Sequence, residues 1–534
     1  MKKTIQRIYN FLGFTGLWLT PILYFITRRT FQSIESKNVF ILCAVVAAWT
    51  TFNNFWSVAC EGKHFSEIGI GDGLIPETGL KKESPQKRIA MYPRVPFELL
   101  SKEPEGIILG KYKNKYVRLP LSYGYHSCII GGTGSGKTST VLLDSLLTNF
   151  AAKNEKFNCF AIDIKGELHQ KSTYAFSENV LVVDPTDRST FGWDVYYRLH
   201  DNPSDDLIIE VMEEISQALI ISTNKKDSFF VENARSMLIG LLSYYFLQGE
   251  TFIDSVNKIL ESDIGTLISE IVKESEPSEI HYKYLAKFAG KTAESVQDCE
   301  VELTTNLSVF SKSSIKFCFR DNFQKASPAS FCEGKSIFLA IPENQLENLK
   351  AVMRLCTVQT LKALERRSEN ERMPIILILD EFARIGRIEG IFNALATLRS
   401  KKVMVMMAFQ SLAQIEVIYS KEEARVLLDN CKLKVICECS DPESAKIIQS
   451  WAGTYKDKKE TLNGGKGRHK SYSYEDKNII ESSDLLTLTK KQEVILVLSG
   501  IASYLRVKKC YYFLDEKIKR LAEKIKNYNK EFTR

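Results

Sequence analysis

Residues 126–138 read His-Ser-Cys-Ile-Ile-Gly-Gly-Thr-Gly-Ser-Gly-Lys-Thr, a short apolar run followed by a glycine-rich segment that ends in Gly-Lys-Thr. A helical pattern over residues 139–152 follows directly. Glycines allow successive backbone N–H groups to curl around a phosphate, and the N-terminus of a helix adds partial positive charge. The spacing therefore predicts a strand, a phosphate-binding loop and a helix, in that order.

The side chains of this loop predict a nucleoside triphosphate as its ligand. Lys137 is expected to reach the β- and γ-phosphates, and the hydroxyl of Thr138 is expected to coordinate Mg²⁺. The backbone that would cradle the phosphates belongs to Gly131, Gly132, Thr133, Gly134, Ser135 and Gly136. The alternative is a glycine-rich turn that binds nothing, which the flanking strand and helix and the Gly-Lys-Thr ending disfavour.

A second nucleotide element is predicted at residues 374–381, which read Pro-Ile-Ile-Leu-Ile-Leu-Asp-Glu. Five consecutive aliphatic residues indicate a strand buried on both faces. Asp380 is expected to hold Mg²⁺ through water, and Glu381 to polarise the attacking water as a general base. A solvated pair of acids at the start of a helix is the alternative.

Two further polar residues are candidates for sensing or stabilising the γ-phosphate. Gln410 ends a third buried strand at residues 402–409, and a simple strand-end cap is the alternative. Arg399 lies 19 residues past Asp380 and could act as an arginine finger on the nucleotide of a neighbouring subunit. Arg384 and Arg387 are rivals for that role, and a solvent-facing arginine is the bland alternative.

The remaining strand signals predict an α/β fold. Residues 159–163 form a strand after the loop helix, which completes a β-α-β unit. Further strands are predicted at residues 180–183, 336–341, 434–439 and 494–498. Because strands alternate with helices, we expect a mostly parallel sheet with the nucleotide site at its carboxyl edge.

The N-terminal 60 residues contain two apolar runs, residues 8–26 and 39–60. A hydrocarbon core of ~30 Å is crossed by about 20 helical residues, so each run can span once. A cleaved signal peptide is the alternative, but the first run lacks a small-x-small cleavage site. We expect a two-pass anchor in the plasma membrane with both termini and the bulk of the chain in the cytoplasm, because the nucleotide site needs cytosolic ATP.

The overall composition fits a folded protein of several domains. The chain has 534 residues, of which 44% are apolar and 26% charged, and this excludes a mainly disordered polypeptide. A net charge of +7 permits contact with nucleic acid or anionic lipid but does not argue for either. The twelve cysteines lack paired spacings, so reduced thiols are expected, and no His/Cys set has zinc spacing.

Four motifs follow the predicted membrane hairpin in a fixed order. They are Gly131–Thr138, Asp163-Ile-Lys-Gly-Glu-Leu168, Leu379-Asp-Glu-Phe-Ala-Arg-Ile-Gly386 and Phe409-Gln-Ser-Leu-Ala-Gln414. Together they resemble the type IV secretion coupling proteins, the TraG/TraD family of conjugation ATPases. The resemblance implies a RecA-like nucleotide domain with an inserted all-helical domain, assembled as a hexamer on the membrane. It also implies ATP-driven delivery of relaxase-bound single-stranded DNA, or of proteins, to a type IV secretion channel. The nucleotide roles of the family would fall on Lys137, Thr138, Asp380, Glu381, Arg399 and Gln410.

The residues divide into five predicted segments. These are a transmembrane hairpin (1–60), a connector leading into the nucleotide-binding domain (61–122), the first part of that domain (123–199), an all-α domain (200–315) and the second part of the nucleotide-binding domain (316–534). In the all-α segment Ser204 is expected to cap a helix whose apolar residues recur at helical spacing.

Residues 454–477 form a basic segment with interleaved tyrosines. It holds seven basic residues against four acids, together with Tyr455, Tyr472 and Tyr474. The basic residues are Lys456, Lys458, Lys459, Lys466, Arg468, Lys470 and Lys477. Basic loops with aromatic residues suit single-stranded nucleic acid. A solvated hairpin with Asn463-Gly464 at its tip is the alternative, and both readings stay open.

Two other functions remain alternatives to the coupling ATPase. One is a double-stranded DNA translocase of the chromosome-segregation type, which shares the fold and the membrane anchor. The other is a docking receptor in which nucleotide only assembles the ring. Glu381 argues against the receptor, because a pure receptor does not need a general base.

Overall fold

The computed structural model of the protein describes residue 87 and residues 90–176, 179–221, 228–291, 293–463 and 469–532. The transmembrane hairpin predicted for residues 1–60 and the first part of the predicted connector lie outside these described residues. Within the described ranges, no helix combines the length and the apolarity that crossing a bilayer requires. All described residues belong to one of the two compact units of the chain, Glu83–Arg534.

A twelve-stranded sheet, with strand order β1-β3-β2-β16-β15-β12-β4-β11-β10-β5-β9-β6, organises this unit. The strands of the described residues are β1 (Leu100–Ser101), β2 (Ile107–Tyr112), β3 (Lys115–Leu119), β4 (Ser127–Ile130), β5 (Asn158–Asp163), β6 (Val180–Val183), β7 (Gly192–Trp193), β8 (Lys325–Ala326), β9 (Ser336–Ala340), β10 (Ile375–Leu379), β11 (Val403–Phe409), β12 (Leu433–Ile436), β13 (Thr454–Asn463), β14 (His469–Asn478), β15 (Glu493–Leu498) and β16 (Ala502–Lys508).

Seven adjacent strands, from β12 to β6 in the sheet order, run parallel. Every residue of β10 and β11 is buried, as strands covered by helices on both faces require. The predicted parallel-rich α/β sheet is therefore confirmed. β11 lies between β4 and β10, so the strand that precedes Gln410 separates the strand of the phosphate-binding loop from the strand of the acid pair.

Helices cover the sheet and also form a helical lobe that shares one of its hydrophobic cores. They are α1 (Leu143–Thr148), α2 (Glu167–Ser172), α3 (Asp205–Leu219), α4 (Ser228–Leu247), α5 (Phe252–Glu261), α6 (Ile264–Glu274), α7 (Ile280–Leu285), α8 (Ala293–Leu307), α9 (Ser313–Lys316), α10 (Lys350–Arg366), α11 (Phe382–Ile385), α12 (Ile391–Thr397), α13 (Leu412–Ile418), α14 (Lys421–Asn430), α15 (Pro442–Ala452), α16 (Ser482–Leu486), α17 (Leu488–Lys491) and α18 (Glu516–Phe532).

The two faces of the sheet build two hydrophobic cores, because successive strand residues point to opposite sides. Ile376 and Ile378 of β10 belong to the core that includes Leu146 of α1 and Ile518 of α18. The alternating residues of β10 belong to the other core, which includes Val352 of α10 and extends into the helical lobe. The loop helix and the C-terminal helix therefore share one side of the sheet.

The described residues from α3 to α9 contain helices and no strand. Ser204 caps α3, where its hydroxyl accepts the N–H of Leu207 at 3.3 Å. Gln359 of α10 holds the segment that leads into this lobe, since its amide accepts the Trp193 indole N–H and donates to the Val195 carbonyl, both at 2.8 Å.

Three details differ from the sequence predictions. The helix after the loop begins as a π-helical turn, Thr138–Leu142, and α1 ends at Thr148, short of residue 152. The strand predicted at residues 434–439 ends at Ile436, because the chain turns there toward the cap of α15. The third difference is β16, which pairs antiparallel with β15 and had no predicted counterpart.

Candidate nucleotide-binding site

Parallel strands bring the predicted site residues to one edge of the sheet. The phosphate-binding loop follows β4, Gln410 follows β11, and Asp380 and Glu381 follow β10. These three strands are adjacent and parallel, so their carboxyl ends meet at the same edge. The two nucleotide elements that are far apart in sequence therefore face one space.

The loop has the backbone shape of an anion cradle, and two glycines explain it. A Cβ at residue 131 would lie 2.3 Å from Ser135 Oγ, so only glycine fits there. Gly136 adopts a φ of +91°, which side-chain-bearing residues rarely adopt, and a Cβ there would lie 3.2 Å from Thr140 Cγ2. Thr133 and Gly134 form the exposed tip of the loop. The bend therefore depends on the glycine spacing seen in the sequence.

Lys137 lies across this loop and is buried, with 6% of its side chain exposed. Its Nζ donates to the carbonyl of Gly131 at 2.5 Å and lies 3.5 Å from the carbonyl of Gly132. The same ammonium is 3.7 Å from Glu381 Oε1. The lysine and the predicted general base are thus in direct electrostatic contact.

Glu381 is held in a left-handed backbone conformation immediately after β10, with a φ of +52°. Such a conformation is uncommon for a residue other than glycine and often occurs at functional sites. Its Oε2 accepts the side-chain amide N–H of Gln410 at 3.4 Å. The backbone N–H of Gln410 in turn donates to Gln414 Oε1 at 3.1 Å. Lys137, Glu381 and Gln410 therefore converge from three neighbouring strands.

Asp380 is buried beside this group, and its electrostatics favour a cation. Burial raises the pKa of its carboxyl to about 7, and the negative charges of Glu381 and Asp163 add to the shift, while Lys137 opposes it. A bound cation would offset this unfavourable charge. The position suits a residue that meets Mg²⁺ through water, which is the predicted role of Asp380.

The described residues contain no cluster of three or more His, Cys, Asp or Glu side chains arranged to hold a metal ion. A magnesium ion that keeps waters and phosphate oxygens needs only one or two protein oxygens. Thr138, half-buried at the start of the helix, and Asp380 could supply them. The residues therefore fit a metal that arrives together with a nucleotide.

Asp163 is a site residue that the sequence analysis did not select. It ends β5, next to β10, and its Oδ2 accepts both the backbone N–H and the ring Nδ1 of His169 at 2.8 Å. A recognisable signal was present, because Asp163 ends a predicted buried strand in the same way as Asp380. The bonds to His169 fix this carboxylate, whose charge helps to raise the pKa of Asp380.

Lys509 is a second missed residue, and it supports the loop from the C-terminal part of the chain. Its Nζ donates to the carbonyl of Ser135 at 2.6 Å and to the hydroxyl of Thr489 at 3.1 Å. The Thr489 hydroxyl donates to the carboxylate of Glu438. Lys509 is 6% exposed, and burial lowers the pKa of its amine. Sequence gave no signal, because β16, which delivers this lysine, was not recognised.

Arg399 is not brought to the site of its own chain. It lies before β11, at the opposite end of the strand from Gln410, and its guanidinium sits 5.3 Å from the ring centre of Tyr125. Among its rivals, Arg387 is held by two hydrogen bonds to Glu423 at 2.9 and 2.8 Å. Arg384 is exposed on α11, directly after Glu381.

Comparison with known proteins agrees with this geometry. The family model of the type IV secretion-system coupling protein DNA-binding domain matches residues 119–522. Protein VirD4 of Agrobacterium fabrum (strain C58) is 23% identical over 419 residues, which cover 74% of this chain and 60% of that protein. The conjugal transfer protein TraG of Rhizobium radiobacter is 24% identical over 348 residues, covering 61% of this chain and 52% of TraG. The chain thus spans about 60% of the length of the VirD4 proteins it matches.

Solved structures of a bacterial conjugative coupling protein, TrwB, have the same fold. Its unbound form aligns with a TM-score of 0.63 at 13% identity, over 77% of this chain and 89% of that chain. Its complex with the non-hydrolysable ATP analogue ADPNP aligns with a TM-score of 0.62 at 15% identity, over 80% and 91% of the two chains. TrwB has also been solved with ADP and Mg²⁺.

Proposed function

Because the chain belongs to the type IV secretion-system coupling proteins, we propose that it couples ATP hydrolysis to delivery of relaxase-bound single-stranded DNA, or of protein substrates, to a type IV secretion channel during conjugation. The observation that carries the proposal is the convergence of Lys137, Glu381 and Gln410 at the edge of the sheet beside the glycine loop. VirD4 and TraG relatives and the nucleotide-bound TrwB structures support it.

The site is proposed to bind ATP together with Mg²⁺. The backbone of residues 131–136 would surround the phosphates, and Lys137 would exchange its bond to the Gly131 carbonyl for a phosphate oxygen. Thr138 and Asp380 would hold the Mg²⁺, which when bound neutralises charge on the β- and γ-phosphates. TrwB in complex with ADPNP and with ADP and Mg²⁺ supports this assignment.

In the proposed hydrolysis step a water attacks the γ-phosphorus, and the bond from that phosphorus to the β-phosphate oxygen breaks. Glu381 orients the water and accepts its proton, giving ADP and phosphate. Gln410 donates a hydrogen bond to the Glu381 carboxylate and would sense the γ-phosphate from the neighbouring strand. The side chains of the site thus supply positioning and charge for phosphoryl transfer.

The assembly and the location of the protein are proposals of the same kind. Residues 1–60 would anchor the chain in the plasma membrane by two passes, leaving the bulk of the protein in the cytoplasm. A homo-hexamer would allow Arg399 of one subunit to act at the nucleotide of its neighbour. Relaxase-bound DNA and the components of the secretion channel would be its partners.

Two substitutions test the motor. Lys137→Ala and Glu381→Gln are each expected to reduce ATP turnover by about 100-fold or more and to abolish DNA transfer between cells. Lys446→Ala is the matched control, because Lys446 is 69% exposed and pairs with Glu443, a surface residue of the same helix. DNA delivery at the normal rate by either site variant would favour the docking receptor over the motor.

Stimulation of ATP hydrolysis by added DNA distinguishes a single-stranded from a double-stranded DNA substrate. The coupling function predicts that single-stranded DNA stimulates hydrolysis by the purified full-length protein more than duplex of the same length. A strong preference for duplex would instead favour the translocase of the chromosome-segregation type.

A further inference from the structure

Tyr511 lies against the phosphate-binding loop, in the segment that follows β16. A Cβ placed on Gly136 would lie 3.4 Å from Tyr511 Cε1 and 3.6 Å from its hydroxyl. The ring is half-buried. An aromatic surface therefore borders the cradle at the glycine that precedes Lys137.

The segment that carries Tyr511 is fixed at both ends. Lys509 is bonded to the loop carbonyl of Ser135 at 2.6 Å. The carboxylate of Asp515 accepts hydrogen bonds from the Tyr116 hydroxyl at 2.7 Å and from the backbone N–H of Ile518 at 3.0 Å. The backbone N–H of Asp515 donates to the Tyr511 carbonyl at 2.9 Å. The position of Tyr511 relative to the loop is thus set by direct bonds on either side of it.

Tyr511 lies next to a second aromatic residue, Phe513, which is not buried in the hydrophobic core. Its ring centre lies 5.3 Å from that of Phe513, and the Phe513 side chain is 47% exposed. Leu514 next to it is 62% exposed. An aromatic ring beside the phosphate-binding loop, with a second exposed aromatic ring next to it, suits a ligand that carries a flat apolar group as well as phosphates.

The order of the strands places this surface at the expected end of a nucleotide. The catalytic acid and Gln410 approach the loop from β10 and β11, on one side of β4. Cys437 follows β12, on the other side of β4. Tyr511 lies near it: burial raises the pKa of the Tyr511 hydroxyl, and the charge of Cys437 adds to the shift. A triphosphate whose γ-phosphate points to Glu381 directs its ribose and base away from β11 and toward the Tyr511 side.

We infer that Tyr511, with Phe513 beside it, is the stacking surface for the nucleobase of the bound nucleoside triphosphate. The inference rests on the proposed function, since it requires ATP in the loop. Stacking uses the π-face that every base possesses, so adenine and guanine nucleotides are expected to bind with similar affinity.

Binding of two ligands that differ only in the nucleoside part tests the inference. The full-length protein in detergent is titrated with magnesium ATP and with magnesium tripolyphosphate, which has the phosphates but no base. Tyr511→Ala is expected to weaken ATP binding about tenfold and to leave tripolyphosphate binding unchanged. Tyr511→Phe retains the ring and is expected to bind both ligands like the unsubstituted protein.

The matched control is Phe229→Ala, which removes a 69% exposed aromatic side chain from α4 and is expected to change neither affinity. An equal loss for both ligands in Tyr511→Ala would show that the ring only supports the loop, and an unchanged ATP affinity would place the base elsewhere. Either result overturns the stacking role. If the unsubstituted protein bound neither ligand, the proposed function would fail and the stacking role with it.

Discussion

Glu381 shows how one backbone angle positions a reacting group. Its left-handed φ of +52° comes immediately after β10, and its two carboxylate oxygens lie near Lys137 and Gln410 respectively. The positions of these residues were predictable from sequence, because each follows a buried strand or a glycine loop. The contacts among them come from the strand order, which inserts β11 between β4 and β10.

Lys509 could not be predicted in the same way. Its bond to the Ser135 carbonyl joins residues 374 positions apart, and nothing local to either residue indicates the other. Asp163 is an intermediate case, because its strand was predicted and its role was not. Residues at the ends of recognised strands are thus accessible to sequence reasoning, while support from a distant segment becomes visible only in the fold.

The hydrogen bonds of Lys509 predict that this residue supports both the fold and the nucleotide site. Lys509→Ala leaves the buried Ser135 carbonyl and Thr489 hydroxyl without this donor, so we expect a loss of about 1–3 kcal/mol in unfolding free energy. ATP affinity should fall about tenfold, because the loop loses a support. Denaturant titration and nucleotide binding measure the two effects. The adjacent Lys508→Ala is the control, since Lys508 is 62% exposed, and equal effects of the two substitutions would contradict the prediction.

At the scale of elements, the short helix α1 carries a fully buried carboxyl group. Burial raises the pKa of Asp144 well above its ordinary range, and the nearby charge of Asp515 adds to the shift. The unfolded chain releases this proton near pH ~4, so above that pH the folded state holds more protons than the unfolded state. Stability contributed by this group therefore falls as pH rises from about 4 toward the raised pKa.

Asp144→Asn replaces this neutral acid by an amide of the same shape. We expect the variant to be more stable than the unsubstituted protein at pH 8, and the difference to shrink as the pH is lowered toward 5. Denaturant unfolding of the nucleotide-free protein at both pH values measures it. Parallel pH curves for the two proteins would show that Asp144 is not held neutral in the fold.

The hairpin of β13 and β14 is a second element with a testable role. The basic segment predicted at residues 454–477 forms two antiparallel strands, paired from Thr454↔Asn478 to Asn463↔His469. This pairing agrees with the hairpin alternative for the shape of the segment. The register places Lys456, Lys458, Tyr472 and Tyr474 on one face, with Asp476 opposite Lys456, and these five side chains are exposed. Lys458 Nζ lies 3.6 Å from the ring centre of Tyr472. We propose this face as a contact surface for single-stranded DNA.

Replacing both Lys456 and Lys458 by alanine is expected to weaken single-stranded DNA binding by about tenfold and to make its salt dependence shallower. Fluorescence anisotropy at several salt concentrations measures both quantities. Lys477→Ala is the control, because this lysine is on the opposite face and its charge is paired with Asp457 at 2.8 Å. An unchanged salt slope in the double variant would assign the hairpin to another role.

At the scale of the whole molecule, two residues of the proposed catalytic set lie at opposite ends of strand β11. Gln410 lies at the carboxyl end with the nucleotide loop, and Arg399 lies before the amino end. The α/β architecture and its parallel sheet were predictable from the alternation of strands and helices. The antiparallel extension by β16 was not, since its pattern does not resemble the long aliphatic runs of the central strands.

This separation gives a prediction for the assembly. Arg399→Ala is expected to abolish ATP turnover while ATP binding is retained, because a finger acts in the transition state. Mixing Arg399→Ala with Glu381→Gln subunits should restore part of the activity, since an intact Arg399 then meets an intact Glu381 across an interface. Turnover by the mixture is measured against each variant alone. Arg384→Ala mixed in the same way tests the rival arginine, and rescue only in that mixture would reassign the finger.

The bond between Lys509 and the glycine loop also bears on how the protein is made. Translation proceeds from the N-terminus, so a nascent chain carries the loop at residues 131–138 and the acids at residues 380 and 381 long before Lys509 leaves the ribosome. Until then the Ser135 carbonyl lacks the amine that holds it in the finished fold. The growing polypeptide therefore acquires its mature nucleotide pocket only once residue 509 has been synthesised, long after the glycine loop and the acid pair.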